Sequence, residues 1–598
     1  MCGIAGIFST DLPRERVETS IHLMQESLLH RGPDGKGLYV SNSQPVALAH
    51  TRLSILDLSS AGHQPMSTPD GRYWISFNGE IYNFKELRTQ LEAAGDVFQT
   101  HTDTEVLLRL YQRYGKDCLQ RLRGMFAFAI WDNHTETGFL ARDPLGIKPL
   151  YYWQRGTQIA FASELRTLLA ANLSDKQLSS AGLYGYLLTG SVPEPYTLVE
   201  DIRCLPAGTW LEWQSGQSVQ QEYWQVCFNT TNDRAKGFDH SNQVRQSLLD
   251  SIRAHYVSDV PVGVFLSGGI DSTAIVALSR EVHKGELHTY SIAFEDPDWN
   301  EGDLARRVSQ QFGTHHTEHL MTPNEGRELF PAFLSAIDQP SVDGFNSFCV
   351  SKIARDRGQK VVLSGLGGDE LFAGYKSFQQ IPKMLRWGQL ATLNPFDKAF
   401  ASWLSSSRLS SKWQRIGDYL HQPSSISAAH QSFRGIFSHA EALSLLNTFL
   451  PEHSKSVASS FREPVEQPSL ADNISALEIS RYMRNQLLRD SDTMSMAWGL
   501  ELRVPFVDSV LLDGIASIPS DRRLAYGKCL LVEAVPEVPD WIVNRPKKGF
   551  RFPFDQWFSS EWSNSVEEFS YPTEISLTPW YRRWSLIVLQ HWIQNVLL

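Results

Sequence analysis

Apolar residues recur at two different spacings along this chain of 598 residues, and the spacing changes near residue 240. Up to about residue 225, short β-like runs at 46–50, 74–77, 125–131 and 159–162 are separated by turn-forming residues, which is how strands read. Stretches with helical periodicity interrupt them at 14–29, 84–94 and 103–114. Together these predict a layered α+β domain over residues 1–225. The segment 226–240 turns polar and predicts a linker. Beyond it, over 241–598, the order becomes strand, loop, helix. An apolar run at 262–266 leads into Ser267-Gly268-Gly269-Ile270-Asp271-Ser272, and a helix begins by Thr273. A second strand is expected at 288–294, then an amphipathic helix at 303–312 with Leu304, Val308 and Phe312 on one face. A third strand, 361–363, runs into Ser364-Gly365-Leu366-Gly367-Gly368-Asp369-Glu370. Strands alternating with helices imply a parallel sheet with its ligands at the carboxyl ends of the strands. From about 380 onward the pattern predicts mainly helix.

Composition narrows the function. The chain is 42% hydrophobic and 20% charged, the usual make-up of a globular enzyme. Its net charge of −11 speaks against a nucleic-acid-binding surface. No apolar run reaches the roughly 18 residues that span a bilayer, and no basic segment followed by an apolar core opens the chain. The expectation is a cytoplasmic protein with no membrane partner. Its six cysteines are scattered and form no CxxC pair, so neither a zinc site nor a disulfide framework is indicated.

Three features carry candidate chemistry. Cys2 follows Met1 directly and becomes the first residue once Met1 is removed. A terminal cysteine supplies a nucleophilic thiol and, in its own α-amine with a pKa near ~7.7–8.0, a base. The competing reading of Cys2 is an apolar-strand cysteine. The 267–272 loop lies between a strand and a helix, where glycines let backbone N–H groups approach a phosphate and Ser267 and Ser272 add hydroxyls. No Gly-Lys-Ser/Thr follows, so it is not a Walker A loop. Asp271 and Asp369 each follow a strand of the expected sheet and could face one crevice. Two carboxylates beside a triphosphate suit Mg²⁺, which prefers oxygen ligands, although each could instead cap a helix.

The motifs carry a resemblance. Met1-Cys2-Gly3-Ile4, His30-Arg31-Gly32-Pro33-Asp34, Arg52-Leu53-Ser54-Ile55, Asn78-Gly79-Glu80-Ile81-Tyr82-Asn83, Thr102-Asp103-Thr104-Glu105 and Arg142-Asp143-Pro144-Leu145-Gly146 resemble class II glutamine amidotransferase domains, which are N-terminal-nucleophile hydrolases. The loops at 266–272 and 364–375 and the run 495–506 resemble the ATP-pyrophosphatase synthetase domain. In this order they resemble the glutamine-hydrolysing asparagine synthetases of bacterial type.

The resemblance implies that Cys2 attacks the glutamine side-chain amide, with Asn78 and the Gly79 N–H as oxyanion donors, a contribution of about 3–4 kcal/mol. It implies Arg52 on the glutamine α-carboxylate, Glu80 and Asp103 on the α-ammonium, and Leu53, Ser54 and Ile55 in the same binding site. In the other half it implies ATP as co-substrate, held by Leu266, Ser267, Gly268, Gly269, Asp271, Ser272, Ile292, Ser364 and Gly365. Mg²⁺ would sit on Asp271 and Asp369. Lys528 would stabilise adenylation and amide formation, against a competing reading as a solvated helix lysine, and Arg503 would help hold pyrophosphate or an acidic substrate. Aspartate as acceptor, an enclosed route for ammonia and a homodimer are further implications. One position departs: many asparagine synthetases carry an acidic residue where this chain has Leu366. That leaves open an amidotransferase acting on another carboxylate, such as a sugar acid, a peptide or a secondary metabolite. A binding protein on the same scaffold is the alternative from another class, and intact Cys2, Asp271 and Asp369 argue against it.

Overall fold

The computed structural model describes residues 2–229, 239–391, 397–406, 409–451, 463–546, 552–560, 562 and 571–597. Two six-stranded antiparallel sheets build the first part. One runs Ile202–Cys204, Tyr151–Arg155, Gln158–Ala162, Gly3–Phe8, Val46–Arg52, Gly35–Val40. The other runs Gln217–Glu222, Thr209–Gln214, Thr137–Arg142, Gly124–Asp132, Tyr73–Ile81, Met66–Ser67. Their facing sides are apolar at every second residue. Ile4, Phe8, Val46 and Leu48 of one sheet interlock with Ala127, Ala129, Trp131 and Leu140 of the other. Helices cover the outer faces because those faces are apolar too. Phe84–Ala93 and Asp103–Tyr114 lie on the second sheet through Leu87, Leu91, Val106, Leu107 and Leu110, and Arg14–Ser27 lies on the first through Val17, Ile21 and Met24. The expected α+β layering, with its helices and strands, is present.

The second part holds one parallel sheet in the order His315–Leu320, His288–Ala293, Val262–Phe265, Val361–Leu363, Glu501–Arg503. The chain builds outward from Val262–Phe265 in one direction, then returns and builds in the other. That reversal opens a crevice beyond the carboxyl ends of Val262–Phe265 and Val361–Leu363, where ligands bind in such sheets. The helix Gly302–Phe312 buries Ala305 and Val308, whereas Leu304 and Phe312 of the expected face are only half-buried. Two strands depart from expectation. His315–Leu320 is polar and mostly half-buried at the sheet edge, so it carries no apolar signal. Glu501–Arg503 is a fully buried strand within the region expected to be helical, and two of its three residues are charged.

Of the expected linker at 226–240, residues 230–238 lie outside the described residues. No helix among the described residues is long and apolar enough to cross a membrane. All six cysteines are free thiols.

Charged groups tie the two parts together. Asp338 of the second part accepts the N–H groups of Leu165 (2.8 Å) and Arg166 (2.9 Å), so it caps the helix Leu165–Ala170 of the first. Arg123 pairs with Asp508 and Asp250, its Nη1 2.7 Å from the latter. Arg31, fully buried, donates to the Cys2 carbonyl at 3.2 Å, to Glu164 at 3.0 Å and to Asp492 at 2.7 Å. Lys148 approaches the other oxygen of Asp492 at 3.4 Å. Truncating one member of a buried pair leaves its partners charged and unpaired, at a cost of about 3–5 kcal/mol. Arg31→Met is therefore expected to lower the thermal unfolding midpoint clearly, whereas removing the exposed Arg14–Glu18 pair leaves it within a degree or so. Calorimetry of the two variants checks this.

Candidate active sites

The first site lies where the two antiparallel sheets meet at one end. The Cys2 N–H donates to Asn78 Oδ1 at 3.0 Å, joining the start of one sheet to the strand Tyr73–Ile81 of the other. Asn78 is fully buried, and its Nδ2 is buried without a hydrogen-bond partner. An unpaired amide donor beside a nucleophile is unusual in a folded protein and suits a negative charge that develops only during reaction. Gly79 has φ +156°, and a Cβ there would stand 2.1 Å from the Met125 carbonyl oxygen, so the strand passes this point only as glycine.

Burial pushes the Cys2 thiol up; the terminal amine, the Leu53 N–H and the Arg52 guanidinium pull the other way, toward thiolate. Leu53 and Ile55 are buried apolar residues, and it is the Leu53 backbone N–H that reaches Cys2. The Ser54 N–H donates to Asp34 Oδ2 at 2.8 Å, a carboxylate that also accepts from Lys360 of the second part at 2.7 Å. Arg52 donates to the carbonyls of Ser59 (2.8 Å), Leu56 (3.2 Å) and Asp57, which gathers the 56–59 loop around its guanidinium. Asp103 opens the helix Asp103–Tyr114 and accepts the Ile81 N–H at 2.9 Å. Burial raises its carboxyl to about 6 although backbone donors lower it. Glu80 is buried, and burial lifts its carboxyl well above the ordinary range.

The second site is a cavity of about 480 Å³ at the switch point of the parallel sheet. The nine residues that the resemblance assigns to ATP all line it: Leu266, Ser267, Gly268, Gly269, Asp271, Ser272, Ile292, Ser364 and Gly365. The helix Ile270–Val282 starts there with no side-chain cap, so its first N–H groups face the cavity. Ser267 and Ser272 hydroxyls lie 3.1 Å apart, and Gly268 takes φ +71°. Gly365 and Gly374 let the loops close together: a Cβ on Gly365 would meet Asp271 Cβ at 3.0 Å, and one on Gly374 would meet Lys528 Cε at 2.4 Å.

Asp271 and Asp369 converge on a single point, where both pair with the Lys528 ammonium. Neither caps its helix, since Gly269 and Gly367 hold the cap positions. Burial would lower Lys528, but the two carboxylates outweigh it and hold the ammonium at about 12. Lys528 is therefore no solvated helix lysine; it is buried and aimed into the cavity. Leu366 also lines this cavity.

Arg503 is placed elsewhere than expected. It does not line this cavity; it is fully buried between the two parts, against Glu501 (2.5 Å) and Glu80 (3.3 Å). The reason is that Arg503 ends a buried strand whose outer neighbour is the first part of the chain. The sequence reading also gave no role to Arg31, Glu501 or Asp492, although Arg31 and Glu501 sit inside quoted motifs; their partners lie hundreds of residues away.

The unpaired Asn78 amide beside Cys2 and the crevice of the parallel sheet stand in one chain, and the relatives of that chain are glutamine-hydrolysing ligases. Residues 1–224 match the glutamine amidotransferase domain family and residues 243–573 match the asparagine synthase family. The chain belongs to the asparagine synthase family. It is 34% identical over 589 residues to asparagine synthetase [glutamine-hydrolyzing] 1 of Bacillus subtilis, covering 95% of this chain and 89% of that one. It is 34% identical over 406 residues to asparagine synthetase B of Escherichia coli, covering 64% and 66%. Amidase chry2 of Gibberella zeae is 27% identical over 590 residues, covering 91% and 86%.

Proposed function

We propose that this protein makes asparagine from aspartate, with glutamine as nitrogen donor and ATP as energy source. Residues 1–225 would hydrolyse glutamine and residues 241–598 would use the ammonia, with 226–240 joining them. The observation that carries the reading is the pairing of two sites in one chain: the orphaned Asn78 amide beside Cys2, and the crevice where Asp271, Asp369 and Lys528 meet.

With Met1 removed, the Cys2 α-amine takes the thiol proton as the thiol attacks the glutamine side-chain amide. The Asn78 amide and the Gly79 N–H receive the oxyanion, and ammonia leaves a thioester that water hydrolyses to glutamate. Arg52 and the 53–55 backbone hold the glutamine α-carboxylate end, while Glu80 and Asp103 face its α-ammonium. In the other half the aspartate side-chain carboxylate attacks the α-phosphorus of ATP, giving an acyl-adenylate and pyrophosphate. Ammonia then displaces AMP. The 267–272 loop and the helix start behind it receive the phosphates. Asp271 and Asp369 are an oxygen donor pair that fits Mg²⁺, which when bound neutralises phosphate charge. Lys528 supplies a fixed positive charge at the same point.

A second reading keeps both half-reactions and changes the acceptor carboxylate. Leu366 favours it, because an apolar wall stands in the cavity where an acid would orient an amine. Pyrophosphate release with ATP, Mg²⁺ and glutamine, with and without aspartate and with asparagine measured in parallel, separates the two. Aspartate-dependent pyrophosphate matched by asparagine supports the first; glutamate release with no response to aspartate supports the second.

Two predictions follow from the residue roles. Cys2→Ala abolishes glutamine-dependent pyrophosphate release and leaves release driven by ammonium salts within about twofold of the parent, read in one coupled assay. Asp103 is held near 6, so lowering the pH through that value protonates it and removes a counter-charge from the glutamine ammonium. The KM for glutamine therefore rises as pH falls below about 6. Asp103→Asn has a high KM throughout and loses this pH limb, which glutaminase kinetics between pH 5 and 8 test.

A further inference from the structure

Glu80 follows Gly79 on the strand Tyr73–Ile81, and its side chain is buried. Its Oε2 is buried with no hydrogen-bond partner, while its Oε1 lies 3.3 Å from Arg503 Nη2. Burial, with Glu501 and Asp103 nearby, lifts the Glu80 carboxyl well above the ordinary range, and Arg503 pulls it the other way without cancelling that rise.

Arg503 cannot swing away from this duty. Its Nε donates to Glu501 Oε1 at 2.5 Å, and its Nη1 donates to the carbonyls of His255 at 2.8 Å and Val257 at 2.6 Å. The guanidinium is thus clamped by acceptors of the second part, with Nη2 turned toward Glu80 of the first. The backbone of the same residue serves the other site. The strand Glu501–Arg503 pairs with Val361–Leu363, and the Arg503 carbonyl accepts the Ser364 N–H at 2.9 Å, where the second ATP-cavity loop begins. One residue therefore touches the glutamine pocket with its side chain and the nucleotide loop with its backbone.

We propose that Arg503 is a positioning residue of the glutamine site: from the synthetase half, its clamped guanidinium fixes the Glu80 side chain through one oxygen and leaves the other turned to the substrate ammonium. The inference rests on the reading of the glutamine pocket given above and adds that this pocket is incomplete without the second half of the chain. A buried interdomain ion pair with a purely structural role would have the same geometry, and the two differ in what they do to kinetics. Replacing the side chain leaves the backbone link to Ser364 in place, so a positioning role moves glutamine binding alone.

The test uses the full chain with Arg503→Met, Arg503→Lys, Glu80→Gln and the double variant Arg503→Met/Glu80→Gln. Glutamate release reports the glutamine site, and ammonium-driven pyrophosphate release reports the other. Arg503→Met is expected to raise the KM for glutamine about 10–100-fold, the range of one lost buried charge partner, with kcat within about threefold. Ammonium-driven pyrophosphate release stays within about twofold. Arg503→Lys, which keeps the charge and loses the planar fork, raises KM by less and remains informative where the methionine variant fails to fold. In the Glu80→Gln background the Arg503→Met substitution adds nothing further, because the group it acts through is gone. An unchanged glutamine KM, a parallel fall in ammonium-driven activity, or additive effects in the double variant overturns the proposal. Absence of glutamate release from the unsubstituted protein overturns the reading of the glutamine pocket, and this inference with it, before any variant is compared.

Discussion

Taking charge out of water is costly, and this chain does so repeatedly at the seam between its halves. Arg31, Glu164, Asp492 and Lys148 form one buried group; Glu80, Arg503 and Glu501 form another. Each group draws members from both halves: Asp492 meets Arg31 and Lys148, and Arg503 meets Glu80. The electrostatics reflect this pairing. Burial would raise Glu164, but His30, Arg166 and Arg31 hold its carboxyl well below the usual range. Burial would raise Glu501 as well, yet the terminal amine, Arg503 and Lys148 hold it at about 2. These charge pairs lie beside an apolar core that runs through both parts, and one of them reaches Cys2, whose carbonyl accepts from Arg31.

The same seam runs along the edge of the parallel sheet. The strand Glu501–Arg503 is an edge of the parallel sheet, and it neighbours Val361–Leu363, whose following loop lines the crevice of about 480 Å³. Arg503 reaches both sides of the seam: its carbonyl accepts the Ser364 N–H, and its side chain lies 3.3 Å from Glu80. The synthetase crevice follows a separate logic. It exists because strand order reverses at Val262–Phe265, and close-approach glycines at 365 and 374 let Asp271, Asp369 and Lys528 meet at one point. Leu366 stands in the same crevice.

Much of this was legible along the chain. The period-2 runs and helical stretches of the first half, the strand-loop-helix of 262–282 and the residues of the nucleotide loops follow from local patterning, because turn chemistry and side-chain alternation are local properties. Asp271 and Asp369 could be paired from sequence, since each follows a strand of one sheet. Lys528 could be found only by resemblance, and Arg503 was misplaced by it, because nothing within a few residues of either says what it faces.

What the sequence by itself determined, then, is which segments become strands, helices and anion-binding loops, and which residues could do chemistry. The tertiary structure alone decided which charges share a partner. The strand His315–Leu320 forms without an apolar pattern because its neighbour supplies the hydrogen bonds, and Glu501–Arg503 stays buried because Glu80, Lys148 and the 255–257 carbonyls arrive from elsewhere to meet it. Burial changes the energy of a charge by its surroundings in three dimensions, and those surroundings are assembled from residues hundreds of positions apart.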